Sequence, residues 1–136
     1  LDIEAAPGVQ IVADAATWRF DDMHTDPRFA GIHSKGFDIV IATELFEHCE
    51  RWREVVKTMA LALRGGGPET IIVTCASTGR PPHGARGEWG VPAGQFYGNV
   101  EPQDLVDELD KWFVEVRDHY NPTPGDVYAY GKGLRC

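Results

Sequence analysis

The chain is short of cysteine, of clustered basic residues and of long apolar runs. Its three cysteines, Cys49, Cys75 and Cys136, are odd in number and lack CxxC spacing. That excludes a disulfide framework and a cysteine-based zinc site, and it fits a reducing, cytoplasmic compartment. Cys75 closes an apolar run and is expected to be a small core residue. Lys and Arg number 13 against 21 Asp and Glu, for a net charge of −8, and no basic cluster stands out. Phosphate backbones are bound through local positive charge, so this balance favours a small-molecule partner over a polynucleotide without excluding one. No apolar stretch approaches the ~20 residues of a membrane-spanning helix, and no secretory leader is visible, so no membrane partner is expected.

What is present centres on Phe37–Glu50, FDIVIATELFEHCE. Phe37–Ala42 is apolar and rich in β-branched residues, the pattern of a strand buried on both faces of a parallel sheet. Thr43, Glu44, Glu47 and His48 follow within six positions. In an open α/β sheet ligands bind at the carboxyl ends of strands, so this turn is a site candidate.

At 136 residues one domain is expected. Leu1–Glu4 reads as the tail of a strand, Pro7-Gly8 as a turn, and Val9–Ala13 as a short strand with Asp14 at its end. Ala15–Gly36 is mixed and polar, with Trp18, Phe20 and Phe29 as anchors and Asp26-Pro27 as a turn or helix start. Glu50–Arg64 carries Trp52, Val55, Val56, Met59 and Leu63 at helical spacing, and Gly65 suits the left-handed cap that stops it. Thr70–Cys75 is a second buried strand. Ala76–Val100 is a long glycine- and proline-rich loop, a length more typical of function than of mere connection. Pro102–Lys111 is a helix with proline in its first turn. Phe113–Asp118 and Val127–Tyr130 are strands joined by the turn Asn121–Asp126, close enough to pair as a hairpin. Alternating β and α units predict an α/β fold. The expected form is a Rossmann-like, doubly wound, mostly parallel sheet in three αβα layers, with the terminal hairpin strand antiparallel.

FDIVIATELFEH, an amphipathic helix, LRGGG and then TIIVTC, in this order, resemble the central part of class I S-adenosylmethionine-dependent methyltransferases. LDIE and VADA are similar to that family's second and third strands, each ending in an acid. The likeness covers nearly the whole chain. It departs from the family at Gly66, where proline is usual. It places a first strand and glycine-rich turn ahead of Leu1.

The resemblance implies S-adenosylmethionine as cofactor and methyl transfer to an O or N atom of a small molecule. It assigns Asp2, with Ile3 beside it, to the ribose hydroxyls, because an ionised carboxylate accepts two hydrogen bonds at once. It assigns Asp14 and the Ala15 backbone to the adenine, and Thr43 and Glu44 to the methionine end. Read without the family, Asp2 is a solvated acid, Asp14 an Asx turn or helix cap, and Thr43 a cap. Glu44, Glu47 and His48 form ExxEH, whose members share a face of one helical turn. Two carboxylates and an imidazole suit a divalent ion such as Mg²⁺ or Mn²⁺. This turn resembles the metal-binding turn of ubiquinone-pathway O-methyltransferases and of small-RNA 3′-end methyltransferases. The RNA enzymes add a histidine from the next loop, and His83 lies in that loop here. His83 is also the candidate catalytic base for a hydroxyl or amine. Trp89, Phe96 and Tyr97 could wall a substrate pocket. Two rivals stay open: a non-catalytic methyltransferase-like binding module, and a metal-dependent RNA 3′-end methyltransferase. Nothing in the sequence sets the oligomeric state.

Overall fold

A computed structural model describes residues 1–2, 4–24, 36–63 and 67–135. Ile3, the turn at Asp26-Pro27, Phe29, the cap at Gly65, Gly66 and Cys136 lie outside the described residues. The elements run α1 (Asp21–His24), β1 (Ile39–Thr43), a 3₁₀ turn (Phe46–His48), α2 (Trp52–Ala62), β2 (Thr70–Ala76), α3 (Pro102–Leu109), β3 (Phe113–Asn121) and β4 (Asp126–Leu134).

The four strands form one sheet in the order β1-β2-β4-β3. β1 pairs parallel to β2, with Ile39 opposite Thr70 and Thr43 opposite Thr74. β4 runs antiparallel to both β2 and β3. The expectation of a mostly parallel sheet is therefore corrected. Among the described residues one pairing is parallel and two are antiparallel, because the terminal hairpin is nine residues per strand and inserts β4 against β2. The expected strands at the start reduce to one parallel bridge between Asp2 and Val12.

Side chains alternate across β2. Ile71, Val73 and Cys75 are buried, while Thr70, Ile72 and Thr74 are half-buried on the other face. The buried face carries both long helices. From α2 it receives Trp52, Val55, Val56 and Met59, the stripe read from the sequence, and from α3 it receives Leu105 and Leu109. Phe46, Phe113 and Val127 complete one continuous core. The described residues thus form two layers, helices on one sheet face, rather than the expected three.

Helix bounds differ from the sequence reading at places where the backbone has other partners. α2 starts at Trp52, not Glu50, because the Trp52 N–H already closes a turn on the Cys49 carbonyl at 3.1 Å. It ends at Ala62, where Leu63 turns extended and Phe37 N–H takes the Ala62 carbonyl at 2.9 Å. β4 continues through Gly131 and Gly133. Gly131 is required there because the Phe113 ring fills the space a Cβ would occupy, 2.5 Å from Cδ2.

The loop after β2 is anchored at its root. Ser77 N–H donates to the Gly125 carbonyl at 2.7 Å, and Ser77 Oγ donates to the Val100 carbonyl at 2.7 Å. Gly125 has φ of +107°, and a Cβ there would lie 2.5 Å from Arg80 N and 2.8 Å from Thr78 O. Both are backbone atoms that cannot step aside. Gly125→Ala is expected to destabilise the chain by about 1–3 kcal/mol, measured by urea unfolding. An unchanged midpoint would show that the loop root does not approach the hairpin turn this closely.

Candidate functional site

β1 hands over to the site through a strained residue. Glu44 has φ of +51°, uncommon for a residue with a Cβ. Its N–H is held by the Thr74 carbonyl at 2.8 Å, so the twist follows the last ladder bond between β1 and β2. The chain then closes the 3₁₀ turn. Phe46 is driven into the core, stacked on Trp52 with ring centroids 5.6 Å apart. This anchor carries Glu47 inward beside it.

Glu47 is fully buried, at 0% exposure. Neither of its carboxylate oxygens has a hydrogen-bond partner among the described residues, and neither does the buried Nδ1 of His48. Unpartnered buried polar atoms are rare in native proteins and call for an explanation. Burial pushes the Glu47 carboxyl up from its ordinary 4.5 to about 7, and the nearby Glu44 charge adds to this. Backbone N–H groups of Glu47 and Ala76 pull the other way, but neither makes a hydrogen bond of normal geometry. Burial, and then the neighbouring His83, lower the His48 pKa. Its imidazole therefore favours the neutral form, the form that ligates metals.

His83 arrives from the long loop. The long loop expected after β2 is tethered. Gly98 N–H donates to the Glu47 carbonyl at 2.8 Å, Val100 N–H to the Ala76 carbonyl at 3.0 Å, and Asn99 Nδ2 to the Arg80 carbonyl at 3.1 Å. The rings of His48 and His83 meet edge-on at 5.1 Å. Tyr97 packs against both, 5.6 Å from His48 and 4.9 Å from His83. Its hydroxyl donates to Asn99 Oδ1 at 2.7 Å, and burial pushes its pKa up to about 12. His83 Nδ1 lies 3.1 Å from the Pro81 carbonyl. A proton on Nδ1 satisfies that carbonyl and leaves Nε2 with its lone pair free.

Glu47, His48 and His83 each offer a ligand atom, all within 4.8 Å of one another. One divalent ion can be held there after movements of rotamer scale. Glu44, the fourth residue of the expected set, does not join them. Its Oε1 accepts from Thr74 Oγ1 at 3.3 Å. Tyr97 was legible only as an aromatic of the loop. Its packing on both histidines could not be read without the tethers that fold the loop back. Trp89 walls nothing, since it is 99% exposed.

A groove of about 510 Å³ runs beside β1. Its lining includes Asp2, Ala15, and Thr43 and Glu44 at the carboxyl end of the strand. These are four of the six residues assigned to the cofactor. Asp2 Oδ1 accepts from Glu4 N–H at 3.1 Å. Asp14 does not line the groove. Its carboxylate accepts from Ala16 N–H at 2.8 Å and pairs with Arg51 at 2.6 Å, an Asx turn with an ion pair. Ile3 lies outside the described residues. The free thiol of Cys75 is buried in the core, as its sequence context indicates. No described helix is long and apolar enough to cross a membrane.

No family model and no curated protein matches the chain. Solved structures do match its fold. One is DhpI in complex with SAH, with a TM-score of 0.52 and 15% identity, over 90% of this chain and 54% of that one. Another is a possible exported protein from Bordetella parapertussis, with a TM-score of 0.56 and 11% identity, over 91% of this chain and 43% of that one. At these identities the likeness is one of fold. The chain spans about half the length of the structures it matches.

Glu47 sets a pH dependence. Between about pH 4.5 and 7 the unfolded chain has released this proton while the folded chain still holds it. Stability from this group is therefore full at acid pH and falls as pH rises through about 7. Glu47→Gln is expected to remove that loss and to be more stable than the parent at pH 8 by about 3 kcal/mol in metal-free buffer. Denaturant unfolding at pH 5 and pH 8 checks this. A variant with the parent's pH slope would show that Glu47 is ionised and satisfied in the fold.

Proposed function

We propose that the chain is a methyltransferase-like domain that binds S-adenosylmethionine in this groove and methylates an O or N atom of a small molecule. The observation that carries this reading is convergence. Asp2, Ala15 and the Thr43–Glu44 pair come from separate parts of the sequence, yet they line one groove that reaches the carboxyl end of β1, where α/β sheets place ligands. A groove of about 510 Å³ is within the usual range for a cofactor-sized ligand. Likeness of fold to an SAH complex supports the same reading.

In this reading the Asp2 carboxylate holds the ribose hydroxyls, with Ile3 beside it. Ala15, next to the Asp14 turn, lies along the adenine, and the twisted backbone at Thr43–Glu44 borders the methionine end. The cofactor supplies an electrophilic methyl on a sulfonium. The chain's part is to align the acceptor and exclude water.

The second element of the proposal is a divalent ion, Mg²⁺ or Mn²⁺, held by Glu47, His48 and His83. Two orphaned buried polar groups, the Glu47 carboxylate and His48 Nδ1, support it. Such an ion would lower the pKa of an acceptor hydroxyl. Pro81 would fix the His83 ring through Nδ1, the way ligating histidines are normally oriented. Without metal, His83 Nε2 is free to act as the base. The net charge of −8 favours a small acceptor over RNA.

Calorimetric titration of S-adenosylhomocysteine into the chain tests the reading. A dissociation constant in the ~1–100 μM range is expected, weakened roughly tenfold or more in Asp2→Ala by loss of a charge-assisted contact. Mn²⁺ is expected to bind the parent and not His48→Ala. No heat from a chain with intact circular dichroism, with or without Mn²⁺, would favour the non-catalytic module.

A further inference from the structure

Hydrogen bonds alone do not set how the two histidine rings of the candidate site face each other. His48 Nδ1 is buried and has no hydrogen-bond partner among the described residues. His83 Nδ1 lies 3.1 Å from the Pro81 carbonyl, and a bond at one edge leaves an imidazole free to rock about it. Side chains that share one ligand must converge on it to within about 0.5 Å. Something else has to fix these rings.

Tyr97 is placed to do so. Its ring meets His83 at 4.9 Å between centroids with the planes 64° apart, and His48 at 5.6 Å with the planes 65° apart. The two imidazoles meet each other at 5.1 Å and 84°. The three rings therefore close a triangle of edge contacts. Such contacts are favourable and depend on orientation. Rotating either imidazole drives its edge into a neighbouring ring.

Tyr97 is itself anchored. Its hydroxyl donates to Asn99 Oδ1 at 2.7 Å, and Asn99 Nδ2 donates to the Arg80 carbonyl at 3.1 Å. The second bond decides which way the amide points, so Oδ1 faces the hydroxyl. A phenol has one proton to give, and the alternative acceptor, the Pro81 carbonyl, is farther away at 3.4 Å. That carbonyl is left to His83. On either side of Asn99 the backbone is tied down. Gly98 N–H donates to the Glu47 carbonyl at 2.8 Å and Val100 N–H to the Ala76 carbonyl at 3.0 Å. Residues 97–100 thus form a strap bonded to the buried turn and to the end of β2. The peptide that follows Tyr97 holds Glu47, so the ring is referenced to the same turn that carries the carboxylate.

We propose that Tyr97 is a positioning residue, whose ring, locked by Asn99, orients His48 and His83 so that their nitrogens and the Glu47 carboxylate converge on one point. The inference rests on the site proposed above and deepens it. Tyr97 supplies neither a ligand atom nor a proton, because its hydroxyl is committed to Asn99 and burial pushes its pKa up to about 12. Ring and hydroxyl have separate tasks. Tyr97→Leu removes the triangle. Tyr97→Phe keeps the ring edges and loses the anchor, and Asn99→Ala loses the same anchor from the other end.

Two measurements on this set of variants test the proposal. The first is calorimetric titration with Mn²⁺. Tyr97→Leu is expected to bind ~10- to 100-fold more weakly than the parent, as when an outer partner of a metal ligand is lost. Tyr97→Phe and Asn99→Ala are expected to lose only a few-fold, and their double variant no more than either alone, since both cut one bond. A merely structural role would move the urea midpoint and leave the affinity of the folded protein unchanged. The second measurement is ¹³C relaxation of the histidine side chains in metal-free buffer. Both imidazoles are expected to be ordered in the parent, to gain fast motion in Tyr97→Leu, and to fall between in Tyr97→Phe and Asn99→Ala. Parent affinity in a folded Tyr97→Leu would overturn the proposal. A parent that binds no Mn²⁺ would remove the cation reading, and ring order would then decide this inference alone. Rings that loosen in the variants would uphold it, and rings equally ordered in parent and variants would overturn it. Asn99 is exposed, so Asn99→Ala gives that answer even if Tyr97→Leu does not fold.

Discussion

A carboxylate in the core without a hydrogen bond is costly, and the organisation of the site follows from where Glu47 is put. The cause is Phe46. Its ring must reach the core to stack on Trp52, and in so short a turn the next residue is carried inward too. Isolated burial of the charged form is disfavoured so strongly that the group holds its proton to about neutral pH. A protein can relieve this by protonation, by a partner or by a cation. Two imidazoles offer nitrogen atoms within 4.8 Å of a Glu47 oxygen. One of them, His48, is biased neutral by burial, which removes the simplest ion pair and leaves two nitrogen donors beside a carboxylate.

The loop between β2 and α3 belongs to the same arrangement. Gly98 N–H bonds the Glu47 carbonyl, so the buried turn and the loop are fixed to each other by backbone as well as by rings. Tyr97 closes over both histidines while Asn99 holds its hydroxyl. At the other end, Gly125 lets the hairpin turn approach the loop root closely enough for the Ser77–Gly125 bond. Ligand chemistry is placed on a loop, but on a loop whose two ends are ladder extensions of β2. Its tip, by contrast, carries a fully exposed Trp89 and a surface ion pair of Arg86 with Glu4, which contributes little.

Much of the fold was legible because its signals are local. FDIVIA and TIIVTC read as strands, and the Trp52–Leu63 stripe as one face of a helix; burial on both faces was expected of the first and is not found, since Ile39 and Ile41 are more than half exposed on the sheet face that neither α2 nor α3 covers. Pairing was not local. The hairpin read short because Gly131 and Gly133 look like turn residues; the Phe113 ring explains the glycine at 131, and a φ of +69° the one at 133. The antiparallel hairpin was expected; the parallel share came out smaller because, among the described residues, the expected strands at the start reduce to the Asp2–Val12 bridge. At the site, ExxEH and His83 were visible as types and spacings. That Glu44 would turn away to Thr74 was not, because it depends on a positive φ imposed by the ladder. Asp14 could be read as an adenine acid or as an Asx turn, and its geometry is that of the turn, held further by Arg51.

The central claim is that Glu47, His48 and His83 form one cation site built around a buried carboxylate that accepts no hydrogen bond among the described residues. Anomalous diffraction from crystals grown with Mn²⁺ at pH 8 tests this most directly. The account expects a single peak in contact with a Glu47 oxygen and a nitrogen of each histidine, with Glu44 still on Thr74. An empty site, with the Glu47 carboxyl hydrogen-bonded to a backbone group or to water, would contradict it.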